Sequence, residues 1–358
     1  MKILIITPSL ARKGPVIVAR DIAAGLVHRG HTVEVWHLDK TGEIEFPCTT
    51  LPFRWQMRAR LNEFDIVHTH SLRPDGMAWF ARLLGRLKTV HVTTIHNYVE
   101  EDLSFAYGKA IAFIASKIWR TFWRRADACV TLTQHARDYY RRTQPALKLQ
   151  VIYNGRPPHQ PNPVNEKDLA VISKLKAKYR LIGASALVTQ RKGFEQVIEA
   201  MPSLPDYAFV IVGDGPEVDN LMELAKRRHV EDRFICLGFR QNAQDFLAHF
   251  DICAMPSRSE GMPLAMLEAA SSRVPIVCSE IPVFKEMFTS REVAFFTLDN
   301  VASFVQAVHT AHEKRLAQAQ AAHSRFVASY STDCMSEAYI SMYQHLTGKR
   351  VLTVGSVQ

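Results

Sequence analysis

Short apolar runs, separated by stretches whose apolar positions recur every three or four residues, pattern this chain along most of its length. In the first half Ile3-Leu4-Ile5-Ile6 reads as a buried strand, residues 16–29 as a helix, and residues 31–36 as a second strand. Asp65-Ile66-Val67-His68 opens a third strand after a basic segment, and residues 90–95 and 128–132 read as two more. Runs that are apolar throughout, rather than alternating, suit strands covered on both faces, and intervening helices place such strands parallel. The alternation returns at residues 181–187, 209–212, 234–237, 251–254 and 275–278. Between the two sets lies RPPHQPNPVN, residues 156–165, with Pro157, Pro158, Pro161 and Pro163 and almost no apolar content, which marks a linker. The pattern predicts an α/β chain with two doubly wound parallel sheets. One domain covers residues 1–160 and a second covers 161–333. Residues 334–358 form a last helix, able to pack on either half, and a tail. No internal repeat or low-complexity tract interrupts this scheme.

Composition narrows the picture. At 358 residues the chain exceeds the size at which single cores stop growing, and 47% apolar with 22% charged residues is ordinary for a globular protein. The six cysteines are scattered without CxxC or metal-type spacing, as expected of buried thiols in a reducing compartment. Residues 1–7 read as a strand rather than a secretory signal, and no run reaches the roughly 18 uncharged apolar residues of a spanning helix. A cytoplasmic location is expected, with the inner face of the cytoplasmic membrane as a place of contact. The net charge of +9 suits nucleic acid, anionic lipid or acidic small molecules. No recognition-helix pattern, zinc spacing or RNP-like strand accompanies it, so nucleic acid is not an expected partner.

The most informative segment is PSRSEGMPLAMLEAASSRVPIV, residues 256–277. Pro263 suits the first position of a helix running to about Ser271, because its missing N–H has no partner there anyway. The N–H groups of Gly261, Met262 and Leu264 then point outward at the helix start, where they favour an anion or sugar oxygens. Glu260 lies just before this helix and Glu268 about one and a half turns into it. Spacing alone favours a surface loop followed by an ordinary helix with one exposed glutamate.

With its neighbours the segment resembles the E-x7-E signature of the GT4-type (group 1) retaining GT-B glycosyltransferases, through Pro256, Ser257, Glu260, Gly261, Pro263, Leu264, Glu268 and Ala269. Other pieces match in the same order: the opening loop ending in Gly14, DIVHTH at 65–70, TTIHN at 93–97 and VIYNG at 151–155. RKGF at 191–194, VIVGDGPE at 210–217, LGF at 237–239 and Glu286 complete the set. The resemblance spans nearly the whole chain. It implies two Rossmann-like domains facing a central cleft, with the donor on the second.

The resemblance assigns Glu260 to the donor sugar, Glu268 to the ribose hydroxyls as an acceptor-only carboxylate, and Lys192 to the diphosphate, where charge grows as the leaving group departs. Pro263 and the backbone of residues 261–264 add to the donor site, as do Gly215, Phe239 and Arg240. Many relatives carry an arginine where Leu187 stands here; Arg191 either supplies the missing guanidinium or is a solvated charge. Gly14 permits close backbone approach to a ligand, although relatives often have two glycines there and this chain has Lys13-Gly14-Pro15. His96, ending a strand, is expected at the acceptor or donor sugar. His68 and His70 form an HxH without a third ligand of convincing spacing, so no metal site is expected. Gly213-Asp214-Gly215 is half a dinucleotide fingerprint whose third glycine is replaced by Val218. A tight turn near the diphosphate explains it better than a dehydrogenase does.

Residues 103–125 interleave Phe105, Tyr107, Ile111, Phe113, Ile114, Ile118, Trp119, Phe122 and Trp123 with Lys109, Lys117, Arg120, Arg124 and Arg125. Such a helix either lies in a membrane interface beside anionic lipid or packs on the first sheet with a solvated basic edge. Residues 53–60, FRWQMRAR, form a second basic-aromatic patch.

These readings lead to transfer of a hexosyl or N-acetylhexosaminyl group from a nucleoside diphosphate sugar, expected to be UDP-linked, to a sugar hydroxyl. Retention of configuration and independence of metal and other cofactors are implied by the resemblance. A lipid-linked glycan of bacterial surface polysaccharide (O-antigen, lipopolysaccharide or capsule) is the expected acceptor. The alternatives are a GT-B nucleotide-sugar epimerase and a non-catalytic membrane-associated subunit.

Overall fold

The computed structural model describes residues 1–39 and 42–349, apart from the side chains of Ala106 and Tyr107. Of the sequence readings, the tail at 350–358 and the Tyr107 side chain lie outside that set. The chain divides into two compact units: Met1–Pro157 together with the chain from Tyr330 onward, and Pro158–Ser329.

The first unit holds β1 (Lys2–Thr7), β2 (Thr32–His37), β3 (Thr49–Pro52), β4 (Ile66–His70), β5 (Val90–Ile95), β6 (Ala128–Thr131) and β7 (Leu149–Val151). Among the described residues these make one parallel sheet in the order β3-β2-β1-β4-β5-β6-β7. The second unit holds β8 (Arg180–Ser185), β9 (Tyr207–Val212), β10 (Phe234–Cys236), β11 (Ile252–Met255), β12 (Ile276–Ser279) and β13 (Ala294–Phe296), ordered β10-β9-β8-β11-β12-β13. Both orders are Rossmann windings. In such sheets the direction of winding reverses between the first and fourth strands, and ligands bind beyond the strand ends at that point. Here the reversals fall between β1 and β4 and between β8 and β11.

Central strands are buried along their length, as Ile3 to Ile6 and Tyr207 to Val212 show, which is why they read as continuous apolar runs. The second unit's core gathers Ile182, Phe194, Phe209, Ile211, Ile252 and Phe304 from both sheet and helices. In the first unit, Leu4, Trp36 and Val67 anchor one cluster, and Ile95, Trp123 and Tyr140 another. At some helix starts a side chain satisfies a first-turn N–H group: Thr133 accepts from Ala136, Asn165 from Asp168 and Ser331 from Cys334.

Several elements differ from the sequence reading. The short strands β3, β7 and β13 went unpredicted, and β8 stops at Ser185 rather than 187. The single helix expected over 103–125 is two, Val99–Tyr107 and Lys109–Trp123, separated by Gly108 with φ 81°. The last helix, Thr332–Thr347, packs on the Gly14–His28 helix of the first unit, where Arg29 pairs with Asp333 at 2.9 Å and Glu337 at 3.3 Å.

Candidate active site

The loops that leave β8 and β11 meet at the second unit's reversal point. After β8 the chain makes a 3-10 turn, Gln190–Lys192, and ends it at Gly193 in the left-handed region with φ 67°. A Cβ there would lie 2.3 Å from the carbonyl oxygen of Pro256, so glycine is required twice over. Gln196 Nε2 donates to the carbonyls of Gly193 at 3.1 Å and Pro256 at 3.0 Å, and Arg258 N donates to Arg191 O at 2.9 Å. These bonds fasten the two loops side by side.

The fastening brings Glu260 against Arg191 and Lys192. Lys192 Nζ donates to one carboxylate oxygen at 2.6 Å, and Ser257 Oγ donates to the same oxygen at 2.7 Å. Arg191 Nη1 donates to the other oxygen at 3.0 Å and to Ser259 O at 2.5 Å. Glu260 is only 6% exposed. Burial alone would raise its pKa, but the Lys192 ammonium, the Arg191 guanidinium and the bonds from Lys192 and Ser257 outweigh it and hold the carboxyl at about 2. The site therefore contains an ionised carboxylate with two cations converging on it.

The helix after Glu260 runs Leu264–Ser271, and Pro263 is its N-cap rather than its first residue. Gly261, Met262 and Pro263 are buried at its start, and Glu268, half-buried, sits in its second turn. Leu187, 66% exposed, points outward, so Arg191 rather than position 187 brings the second cation to Glu260. Gly213 and Gly215 have a packing explanation: added Cβ atoms would lie 1.8 Å from Ala186 O and 2.2 Å from Val188 O. They let β9's turn support the loop that carries Arg191 and Lys192, with Val188 N donating to Asp214 O at 2.8 Å. Phe239 is exposed just after β10, while Arg240 makes a two-pronged pair with Asp168 at 2.6 and 2.9 Å.

In the first unit Gly14 opens the Gly14–His28 helix beyond β1, and an added Cβ would meet nothing within 4 Å. His96 follows β5 and shares a hydrogen bond of 2.9 Å with His70, the last residue of β4. Burial pushes His96 down to about 3, and His68 falls to about 3 through burial, then His96 and His91. The two ring nitrogens of His68 are taken by Thr94 Oγ1 and Tyr343 OH, each at 2.8 Å. Among the described residues no three His, Cys, Asp or Glu side chains are arranged to hold a metal ion.

Sequence reasoning gave no role to Ser257, although its spacing to Glu260 is that of a serine-glutamate capping pair. It also passed over Asp75, a fully buried carboxylate that accepts from Thr69, Thr93, Trp119 and Trp123 at 2.6, 2.7, 2.7 and 2.9 Å. Asp75 splits the aromatic helix Lys109–Trp123 into two faces. Trp119, Phe122 and Trp123 turn toward the first unit, and Ile111, Ile114 and Ile118 turn to solvent at 57%, 61% and 51% exposure. Among the described residues no helix is long and apolar enough to cross a membrane.

The chain thus holds two Rossmann-type sheets, with a buried glutamate, a lysine and an arginine gathered at the second one's reversal point. The profile for "Glycosyltransferase Family 4" matches residues 12–160 and that for "Glycosyl transferases group 1" matches residues 165–324. The chain is 30% identical over 361 residues to the O-antigen biosynthesis glycosyltransferase WclY of Escherichia coli, covering 97% of this chain and 99% of WclY. The protein belongs to the group 1, family 4 glycosyltransferases. A second relative is the Escherichia coli UDP-Gal:alpha-D-GlcNAc-diphosphoundecaprenol alpha-1,3-galactosyltransferase, 27% identical with 69% of this chain and 66% of that one covered. Among solved structures, Anabaena HepE in complex with UDP and glucose superposes with a TM-score of 0.80 at 18% identity, over 96% of this chain and all of that one. WaaG, a glycosyltransferase involved in lipopolysaccharide biosynthesis, gives 0.71 at 14%, over 97% and 100%. These two establish the fold alone.

Proposed function

We propose that this glycosyltransferase moves a hexosyl or N-acetylhexosaminyl group from a UDP-linked sugar to a sugar hydroxyl of a lipid-linked glycan, in assembly of O-antigen or related lipopolysaccharide. The observation that carries the donor half is the convergence of Arg191 and Lys192 on Glu260. In this reading the two cations receive the diphosphate and offset the charge that develops on the leaving group. Glu260, ionised, turns to the donor sugar, and Glu268 accepts from the ribose hydroxyls. Backbone N–H groups of Gly261, Met262 and Leu264 add positive potential at the helix start. In this reading the cations supply the charge that a metal would, and the family resemblance adds a metal-independent reaction with retention of configuration. Gly14 and His96 belong to the sugar-facing side. The acceptor half takes its support from WclY, an O-antigen enzyme by name, and from the galactosyltransferase whose named acceptor is a diphosphoundecaprenol-linked sugar.

The first unit's surface supports an acceptor held at an anionic membrane. The outward Ile111, Ile114 and Ile118 are flanked by Lys117, whose Nζ lies 4.0 Å over the Phe113 ring, and by Lys109, Arg124 and Arg125. The Leu72–Leu83 helix, joined to this one through Trp79 and Phe122, exposes Phe80 and Leu83, and Trp55 lies against Phe80. Apolar area between basic residues suits an interface where each lysine or arginine adds about 1 kcal/mol beside anionic lipid. Sedimentation with anionic vesicles at low salt tests this; absence of binding there discards the membrane.

A thermal-shift screen over nucleotide sugars tests the donor, because a bound donor stabilises by mass action. A UDP-sugar is expected to raise the transition temperature, and turnover with a lipid-linked acceptor to give a product of retained anomeric configuration. Clean epimerisation of the donor without acceptor would replace the transferase reading with the epimerase.

A further inference from the structure

Among the described residues, His96 shares its hydrogen bond with a residue that makes no other side-chain hydrogen bond. His70 is fully buried; its Nδ1 lies 2.9 Å from His96 Nε2, and its own Nε2 is buried without a hydrogen-bond partner. Its ring lies tilted against His68 at 4.3 Å between centroids, and His68 is held from both sides by Thr94 and Tyr343. Tyr339 OH, from the same last helix, closes the set on Thr94 at 3.0 Å. The imidazole of His70 is therefore fixed in place before any ligand arrives.

Burial disfavours charge on either ring of the pair, His70 lying well below the ordinary histidine value through burial, then His68 and His96. Two neutral rings joined by one hydrogen bond share one bridging proton. Were that proton on His96, His70 would carry its own proton on Nε2, as a buried N–H with nothing to receive it. Orphaned buried N–H groups are rare in folded proteins, so the proton belongs on His70 Nδ1, leaving an unprotonated Nε2 in the buried position.

We infer that His70 is a positioning residue whose Nδ1–H donates to His96 Nε2 and thereby fixes His96 as the tautomer protonated on Nδ1. His96 then meets its ligand as a hydrogen-bond donor to a sugar or phosphate oxygen, and not as a base. This last step rests on the proposed place of His96 at the substrate; the tautomer does not.

The Nδ1–H form is the less common one for histidine free in water, which makes the assignment readable. Long-range 1H–15N correlation spectra of the full chain, labelled in histidine nitrogens and recorded unliganded near pH 8, report the protonated nitrogen of His96. Wild type is expected to show Nδ1–H. His70→Phe keeps an apolar ring without a donor and returns His96 to Nε2–H, whereas His70→Asn restores a donor near the same point and keeps Nδ1–H. Thermal unfolding of each variant verifies that it is folded. Nε2–H in the wild type, or Nδ1–H persisting in a folded His70→Phe protein, overturns the inference. No donor or acceptor enters the measurement, so an error in the proposed reaction leaves its outcome unchanged.

Discussion

Replacing Glu260 with glutamine removes the one negative charge on which Lys192 and Arg191 converge, while keeping the shape of the side chain. Holding the carboxyl at about 2 rather than 4.5, at about 1.4 kcal/mol per tenfold, is worth roughly 3 kcal/mol to the folded state. Breaking a buried pair by removing one partner costs about 3–5 kcal/mol in general, which agrees in size. For a unit of this length that corresponds to a fall of about 6–12 °C in transition temperature at neutral pH. The carboxyl is depressed in the fold, so its contribution is fully present above the unfolded value near 4.5 and disappears as pH falls toward 2. The gap between wild type and Glu260→Gln is therefore constant from pH 8 to about 5 and narrows below that. Added pyrophosphate acts in the opposite direction: in the variant Lys192 and Arg191 no longer have to leave a carboxylate, so it stabilises the variant more than the wild type. Urea unfolding between pH 8 and 3, with and without pyrophosphate, measures all three effects. A variant as stable as wild type at pH 7, or a gap unchanged at pH 3, refutes the electrostatic account of the cluster.

Gly14→Ala puts a methyl group into open space at a helix start, so stability should stay within about 0.5 kcal/mol. Turnover should still fall tenfold or more if the bare backbone serves a ligand, and unaltered turnover removes Gly14 from the site. Asp75→Ala leaves the indole N–H groups of Trp119 and Trp123 and the Thr93 hydroxyl without their acceptor. A loss of about 3 kcal/mol or more in urea, with red-shifted tryptophan emission as Trp119 and Trp123 meet water, is the expected result. Gly215→Ala forces a Cβ onto Val188 O and displaces the loop that carries Arg191 and Lys192. Isothermal titration should show weaker UDP binding, and wild-type affinity in a folded variant would mean the loop does not depend on that packing.

The central strands were legible because burial on both faces leaves an unbroken apolar run, as in Ile3 to Ile6. The edge strand β3 was not, because Thr49–Pro52 is nowhere fully buried and carries only Leu51 as an aliphatic residue, and β13 was passed over as well. The helix over 103–125 was drawn through Gly108, whose flanking residues keep one apolar rhythm on both sides of the break. Glu260 and Lys192 lie 68 positions apart; the family resemblance assigned both to the donor, but their ion pair went unpredicted, because the winding reversal that joins their loops is a property of the sheet order. Asp75 carried no local signal at all. A lone aspartate in Leu72–Leu83 becomes a four-fold acceptor only when strands β4 and β5 and the next-but-one helix close around it.

The helix Thr332–Thr347 supplies Tyr339 and Tyr343 to the first unit after the chain has passed through the whole of the second. A ribosome delivers residues in order, so Pro158–Ser329 is continuous and can finish folding as it emerges. The unit containing residue 1 is the one that must wait. Until its final helix arrives, His68 and Thr94 lack their tyrosine partners, and the buried histidines stand open to water. Any release of the nascent chain before residue 347 therefore yields a finished second unit attached to an unfinished first one.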